Sequence, residues 1–162
     1  MTTSETAPRL ELEVQYACAG DELPDEVSLR TWTLAALDAV DVPVELVIRI
    51  VDAAESRELN RRYRGRDNPT NVLSFAFEAP PGVDCDHLGD LVICAPVVQQ
   101  EAHEQRKQPY HHWAHMVVHG VLHLRGYDHI EARQAEVMEA LEKQILASLG
   151  VPDPYTVHDM AV

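Results

Sequence analysis

Along the first half of the chain, stretches in which apolar and polar positions alternate are separated by stretches in which apolar positions recur every three or four residues. Leu10, Leu12, Val14 and Tyr16 alternate with Glu11, Glu13 and Gln15, a period of two that predicts a half-buried strand. After Pro24, the residues Leu29, Trp32, Thr33, Ala36, Leu37 and Val40 recur at helical spacing and predict a first helix. Val44, Leu46, Ile48 and Ile50 alternate again. Asp52 with Glu55 three residues later has the form of a capping box, which places a helix from there to about Tyr63. A polar turn at Arg66, Asp67, Asn68 and Pro69 then leads into residues 70–77, whose strand formers put Leu73, Phe75 and Phe77 on one face.

Pro80, Pro81 and Gly82 break the chain, and residues 88–94 predict a fourth strand around Leu91, Val92 and Ile93. Helices fill the rest. Pro96 and Pro109 suit first helical positions and open helices over 97–107 and 110–124, and a last helix spans 131–149 before Gly150 and Pro152. This order predicts an α+β fold, a small mixed sheet of about four strands covered by about five helices. A chain of 162 residues suits one domain over residues 1–162, with residues 1–9 expected as a flexible tail.

The charge narrows the function. Thirteen basic against twenty-seven acidic residues give −14, a surface that repels polyanions at long range, so any RNA contact needs a local basic patch or a metal ion. Only Lys107 and Lys143 are lysines; the arginines cluster, with Arg57, Arg61, Arg62, Arg64 and Arg66 against the single acid Glu58 over residues 57–66. Arginine suits phosphate because its planar fork donates two hydrogen bonds at once. The plainer role, solvated helix arginines paired with Glu58 and Glu55, suits Arg57, Arg61 and Arg62. Arg64, at the helix end before the turn, is the strongest candidate for phosphate. Cys18, Cys85 and Cys94 form neither a disulfide framework nor a zinc knuckle. With no signal peptide or membrane span apparent in the sequence, the expectation is a soluble cytoplasmic protein.

The chemistry concentrates in residues 110–130. At about 100° per residue, Trp113, Met116, Val117, Val121 and Leu124 form one stripe and His112, His115, His119 and His123 another. His119 and His123 stand one turn apart, about 6 Å along the axis, and can reach one ion. His115 lies about 12 Å along the axis from His123, and three ligands in a row cannot surround a tetrahedral metal. Gly126 allows a sharp turn after which His129 can swing back, so His119, His123 and His129 are the expected ligands. Three histidines leave a fourth position for water, the mark of a catalytic zinc. Where a zinc protease helix carries its glutamate base this one has Gly120, which demotes peptide hydrolysis. Asp128 is either an outer partner of a ligand or a cap of the last helix, and His111, His112 and His115 either flank the cleft or, more simply, pack.

The stretch His119-Gly120-Val121-Leu122-His123-Leu124-Arg125-Gly126-Tyr127-Asp128-His129 resembles the signature of the YbeY endoribonuclease family at every specified position. Leu59-Asn60-Arg61-Arg62-Tyr63-Arg64 followed by Asp67-Asn68-Pro69-Thr70-Asn71-Val72-Leu73-Ser74-Phe75 is similar to its second signature, and Leu88-Gly89-Asp90-Leu91-Val92-Ile93 to its third. The resemblance covers about residues 10–155. It implies a single-strand-specific, metal-dependent endoribonuclease acting in 16S rRNA 3′-end maturation and ribosome quality control. By the same resemblance His119, His123 and His129 are zinc ligands, one Zn2+ per chain, and Arg64 acts in catalysis or RNA contact. The implied partners are single-stranded rRNA, the ribosomal small subunit and one of its proteins, with no DNA or membrane. The attacking group is either water or an RNA 2′-hydroxyl activated near the metal, and Asp90 and Asp128 are the candidates for a general base. The alternatives are a non-catalytic zinc-containing assembly factor and, more remotely, a zinc amidohydrolase or peptidase.

Overall fold

A computed structural model describes residues 9–20, 22–128 and 130–155. Its elements are strand β1 (Leu10–Tyr16), helix α1 (Glu26–Ala36), β2 (Val44–Val51), α2 (Ala53–Arg64), β3 (Val72–Ala76), β4 (His87–Cys94), α3 (Ala95–Glu104), α4 (Pro109–Leu124) and α5 (Ala132–Ser148). The strands form one sheet in the order β1-β2-β4-β3, with β1 and β4 parallel to β2 and β3 antiparallel to β4. The fold is therefore α+β on a mixed four-stranded sheet, as the periodicities predict. No helix of the described residues is long and apolar enough to cross a membrane. Of the tail expected over residues 1–9 only Arg9 is described, and its carbonyl accepts from the Val44 N–H at 2.8 Å; residues 1–8 lie outside the described residues.

Element ends differ from the periodicity where a local hydrogen bond or backbone conformation overrides it. Helix α1 stops at Ala36, short of Val40, because Leu37 caps it and Ala39 adopts a left-handed conformation (φ 69°). Strand β3 starts at Val72 because Thr70 is already held at both ends of its peptide link by the Ser56 hydroxyl, which donates to the Thr70 carbonyl and accepts from its N–H. Half of the Asp52–Glu55 box forms. Asp52 accepts from the Glu55 N–H at 2.9 Å, but the Glu55 carboxylate turns away to take two hydrogen bonds from Arg49, at 2.6 and 3.1 Å.

Each strand of the sheet centre feeds two cores, since alternate side chains face opposite ways. Leu46, Ile48 and Ile50 of β2 with Leu91 and Ile93 of β4 join the large core under α1, α4 and α5. Val51, Leu73, Val92 and Cys94 form a smaller core against Ala53 and Leu59 of α2. Helix α4 lies at the centre of the large core, with eleven of its sixteen residues buried. The imidazole stripe is divided by depth: His112 and His115 are buried, and the C-terminal His119 and His123 are partly exposed.

Gly120 lets α4 lie against the sheet. A Cβ there would meet Leu91 Cδ2 at 2.8 Å and Val72 Cγ2 at 3.3 Å, inside ordinary van der Waals contact with a fully buried leucine. Helix propensity favours alanine over glycine by about 1 kcal/mol, whereas overpacking a dense core costs about 1–3 kcal/mol. Packing wins, so Gly120→Ala lowers the urea midpoint of unfolding; an unchanged or higher midpoint would mean that the interface has room for the methyl.

Candidate metal centre and cleft

Two helix ends, one strand and a turn meet around an open cleft of about 790 Å³. Tyr63 and Arg64 come from the end of α2, Asn71 to Ala76 from β3 and its approach, His119, His123 and Leu124 from the end of α4, and Asp128 and Ile130 from the following turn. The cleft passes over β3, which among the described residues pairs only with β4 and so forms an edge of the sheet. The chain bends out of α4 through Gly126, whose φ of 99° suits glycine alone, and the Tyr127 N–H closes the turn on the Leu122 carbonyl at 3.0 Å.

The histidine pair is aligned nitrogen to nitrogen. His119 Nε2 and His123 Nε2 are 3.1 Å apart, and their rings cross edge to face with centroids 4.6 Å apart. Two nitrogens each roughly 2.0–2.1 Å from one tetrahedral ion stand about 3.3 Å apart, so the pair fits a divalent metal of zinc's preference. His129 lies outside the described residues. Beneath the pair, His119 Nδ1 donates to Glu142 Oε2 at 2.8 Å, and His115 Nε2 donates to Glu142 Oε1 at 2.7 Å. His115, His119 and Glu142 bring potential ligand atoms within 4.8 Å of one another, a group that can hold a metal ion.

Glu142 is 0% exposed, an ionised group in the core of α5. Burial pushes its carboxyl up, but hydrogen bonds from His115 and His119, the charge of His119 and a hydrogen bond from the Tyr155 hydroxyl outweigh it and hold it at about 2. It is therefore an acceptor at neutral pH, with the imidazoles as donors. The sequence carried one sign of it: on α5 an acid occupies a position in register with the buried Met138, Ile145 and Leu146, where an apolar side chain is the rule. No local spacing links residue 142 to residue 119.

The remaining histidines divide as packing predicts. His112 donates through Nε2 to Glu101 at 2.8 Å, and Glu101 also accepts from the Asn71 side chain. His112 and His115 thus serve as buried, hydrogen-bonded groups, and His111 is half-buried. Asp128 lines the cleft and does not cap α5, whose cap is Glu131. Asp90, on β4, bonds His87 at 2.9 Å and does not line the cleft.

The arginine cluster resolves into paired and unpaired members. Arg57 forks onto Asp67, not Glu55, at 2.7 and 3.0 Å, while Arg61 and Arg62 both lean on Glu58. The expected pairing with Glu55 is overturned because Arg49 takes that carboxylate. Arg64 and Arg66 enter no ion pair among the described residues, and Arg64 alone of the cluster lines the cleft.

Partly exposed imidazoles beside a cleft that Arg64 lines, on a mixed sheet covered by helices, define a small α+β protein with a group of side chains that can hold a metal ion. The family model described as endoribonuclease YbeY matches residues 20–150, so the chain belongs to the endoribonuclease YbeY family. The endoribonuclease YbeY of Alkalilimnicola ehrlichii is 60% identical over 158 residues, 94% of this chain and 95% of the relative. The solution structure of TM1509 from Thermotoga maritima shares the fold, with a TM-score of 0.53 at 23% identity over 88% of this chain and 99% of that one.

The loop that presents the cleft wall hangs on Asn60, buried on α2, whose amide donates to the Asn68 carbonyl at 2.8 Å and the Asn68 side chain at 3.1 Å. Removing the donor unties the loop from α2 while water can reach the exposed Asn68, a cost of about 0.5–1.5 kcal/mol. Asn60→Ala and Asn60→Asp are both expected to lose that much in urea unfolding, since aspartate keeps the shape and lacks the amide hydrogens. Retention of stability by Asn60→Asp would show that shape, not donation, matters.

Proposed function

We propose that the protein is a single-strand-specific, zinc-dependent endoribonuclease of the cytoplasm, acting in 16S rRNA 3′-end maturation and ribosome quality control. The observation that carries the reading is the convergence of His119 Nε2, His123 Nε2 and Arg64 on one cleft, beside the strand edge. In this reading one domain spans the chain, His119, His123 and His129 hold one zinc, and its partners are single-stranded rRNA, the ribosomal small subunit and a small-subunit ribosomal protein. The name of the relative from Alkalilimnicola ehrlichii supports RNA as the substrate.

A zinc held there supplies a Lewis acid that stabilises negative charge on a phosphoryl oxygen. The chain's own residues do the rest. Arg64 extends into the cleft from the end of α2 and offers a planar fork to the phosphate, sharing charge that grows in the transition state. Tyr63, 59% exposed and packed edge to face on Phe75 at 5.3 Å, presents an aromatic surface in the same cleft. A base can stack there only when it is out of a duplex, which supports a preference for single strands. The paired arginines on the outer face of α2 reduce nonspecific attraction for phosphate and leave Arg64 as the cation in the cleft. Gly120 argues against peptide hydrolysis, because the packing that excludes a Cβ there also excludes the glutamate of a protease helix.

End-labelled single-stranded and duplex RNAs test the reading, with circular dichroism confirming the fold of each variant. Wild type is expected to cut the single strand, His123→Ala to lose cleavage, and Arg64→Ala to lose roughly 10²–10³-fold in kcat. Equal cleavage by wild type and His123→Ala, or none by wild type with or without small subunits, would overturn it in favour of a non-catalytic assembly role. A 2′,3′-cyclic phosphate on the product identifies the 2′-hydroxyl as nucleophile.

Tyr63 gives a separate expectation. Tyr63→Leu raises KM for single-stranded RNA roughly tenfold, the scale of one lost base stack, and Tyr63→Phe restores it. Equal KM in all three proteins would remove Tyr63 from the substrate path.

A further inference from the structure

Three donors converge on one buried carboxylate beneath the histidine pair. Glu142 accepts from His115 Nε2 at 2.7 Å and from the Tyr155 hydroxyl at 2.6 Å, both at Oε1, and from His119 Nδ1 at 2.8 Å at Oε2. The site of residue 142 is 0% exposed, so no water competes for these bonds. Tyr155 is itself carried on a segment anchored to the fold: Lys107 Nζ donates to the Pro154 carbonyl at 2.9 Å, and Lys143 approaches Asp153 at 3.7 Å.

The distances decide between two roles for this group. Nitrogen-to-oxygen separations of 2.7–2.8 Å are those of hydrogen bonds to an ionised acceptor, whereas two ligand atoms on one tetrahedral ion stand about 3.3 Å apart. An ion placed among His115, His119 and Glu142 would have to break both imidazole–carboxylate bonds. The two Nε2 atoms of His119 and His123, by contrast, face each other at the open cleft.

The geometry points to Glu142 as a positioning residue that sets the proton of His119 on Nδ1 and thereby turns the Nε2 lone pair toward His123, with His115 and Tyr155 holding the carboxylate in place. The inference rests on the reading of His119 as a metal ligand and adds a cause for it. A neutral imidazole carries one proton; when a fixed acceptor claims it at Nδ1, Nε2 is left as the donor atom for a metal. The same carboxylate imposes the opposite tautomer on His115, whose proton sits on Nε2. The Nδ1 of His115 has no hydrogen-bond partner among the described residues, which agrees with its being the unprotonated atom. Two histidines one turn apart on α4 thus hold opposite tautomers, and only the one facing the cleft offers Nε2.

Two measurements on the full chain test this. The first is long-range nitrogen–proton NMR of the metal-free protein with labelled histidine, which is expected to show His119 protonated at Nδ1 and His115 at Nε2. A proton on Nε2 of His119 would overturn the assignment. The second is titration of the metal-free protein with zinc against a chromophoric chelator, alongside its thermal unfolding. Glu142→Gln keeps the volume but offers one acceptor atom where two are used, and is expected to bind zinc roughly 10–100-fold more weakly. His115→Gln, which keeps an amide donor near Glu142, is expected to lose less zinc affinity than Glu142→Gln. Zinc affinity unchanged in Glu142→Gln, with wild type binding normally, would refute the positioning role and leave the ligand reading intact. A wild type that binds no zinc would refute both. A large loss in His115→Gln at unchanged melting temperature would make His115 a ligand instead.

Discussion

The close seating of α4 on the sheet is the constraint from which the rest follows. A helix with eleven buried residues must satisfy neighbours on nearly every side, and it comes near enough to β3 and β4 for this only because residue 120 has no side chain. That seating fixes the height of His119 and His123 relative to the strand edge, and so the depth of the cleft. It also sets the cost of the polar groups on the helix. His112 and His115 lie inside the core and need partners there, and Glu101 from α3 and Glu142 from α5 supply them. The imidazoles at the C-terminal end escape burial because the helix ends beside the cleft.

Electrostatics divide the molecule in the same way. At −14 the surface as a whole repels phosphate, yet the end of α2 collects five arginines within ten residues. Asp67 and Glu58 engage three of the five, Arg57, Arg61 and Arg62, in exposed pairs that contribute little to stability and are screened by salt. What remains is directional. Arg64 and Arg66 enter no ion pair among the described residues, and of the two Arg64 lines the cleft. A basic patch spread over the surface would bind nucleic acid more tightly and with less discrimination.

Much of this was legible in the sequence. Period-two and period-3.6 runs located every strand and helix among the described residues, and the four-residue spacing of His119 and His123, together with the family signature, points to the pair. The departures come from interactions that periodicity does not encode. Thr70 is claimed by Ser56 and so delays β3, and Arg49 draws Glu55 out of its capping box. Glu142 was missed for a related reason: its partners are twenty-three and twenty-seven residues away, and only its place on an apolar stripe set it apart. The imidazole stripe divides as its plainer reading has it: His112 and His115 pack inward against neighbouring elements, and His119 and His123 reach the cleft.

The long reach of that carboxylate has a meaning for biosynthesis. A growing chain that has just made α4 holds both imidazoles but neither the acid that α5 brings nor the phenol that follows it. The large core is equally unfinished at that point, because Met138, Ile145 and Leu146 of α5 belong to it. Contacts of this span form late, since loop closure must be paid before they reward it. Maturation of the imidazole pair is therefore tied to completion of the domain: the arrangement that orients His119 comes into being with the helix and the segment that finish the fold, and a chain stalled on the way lacks it.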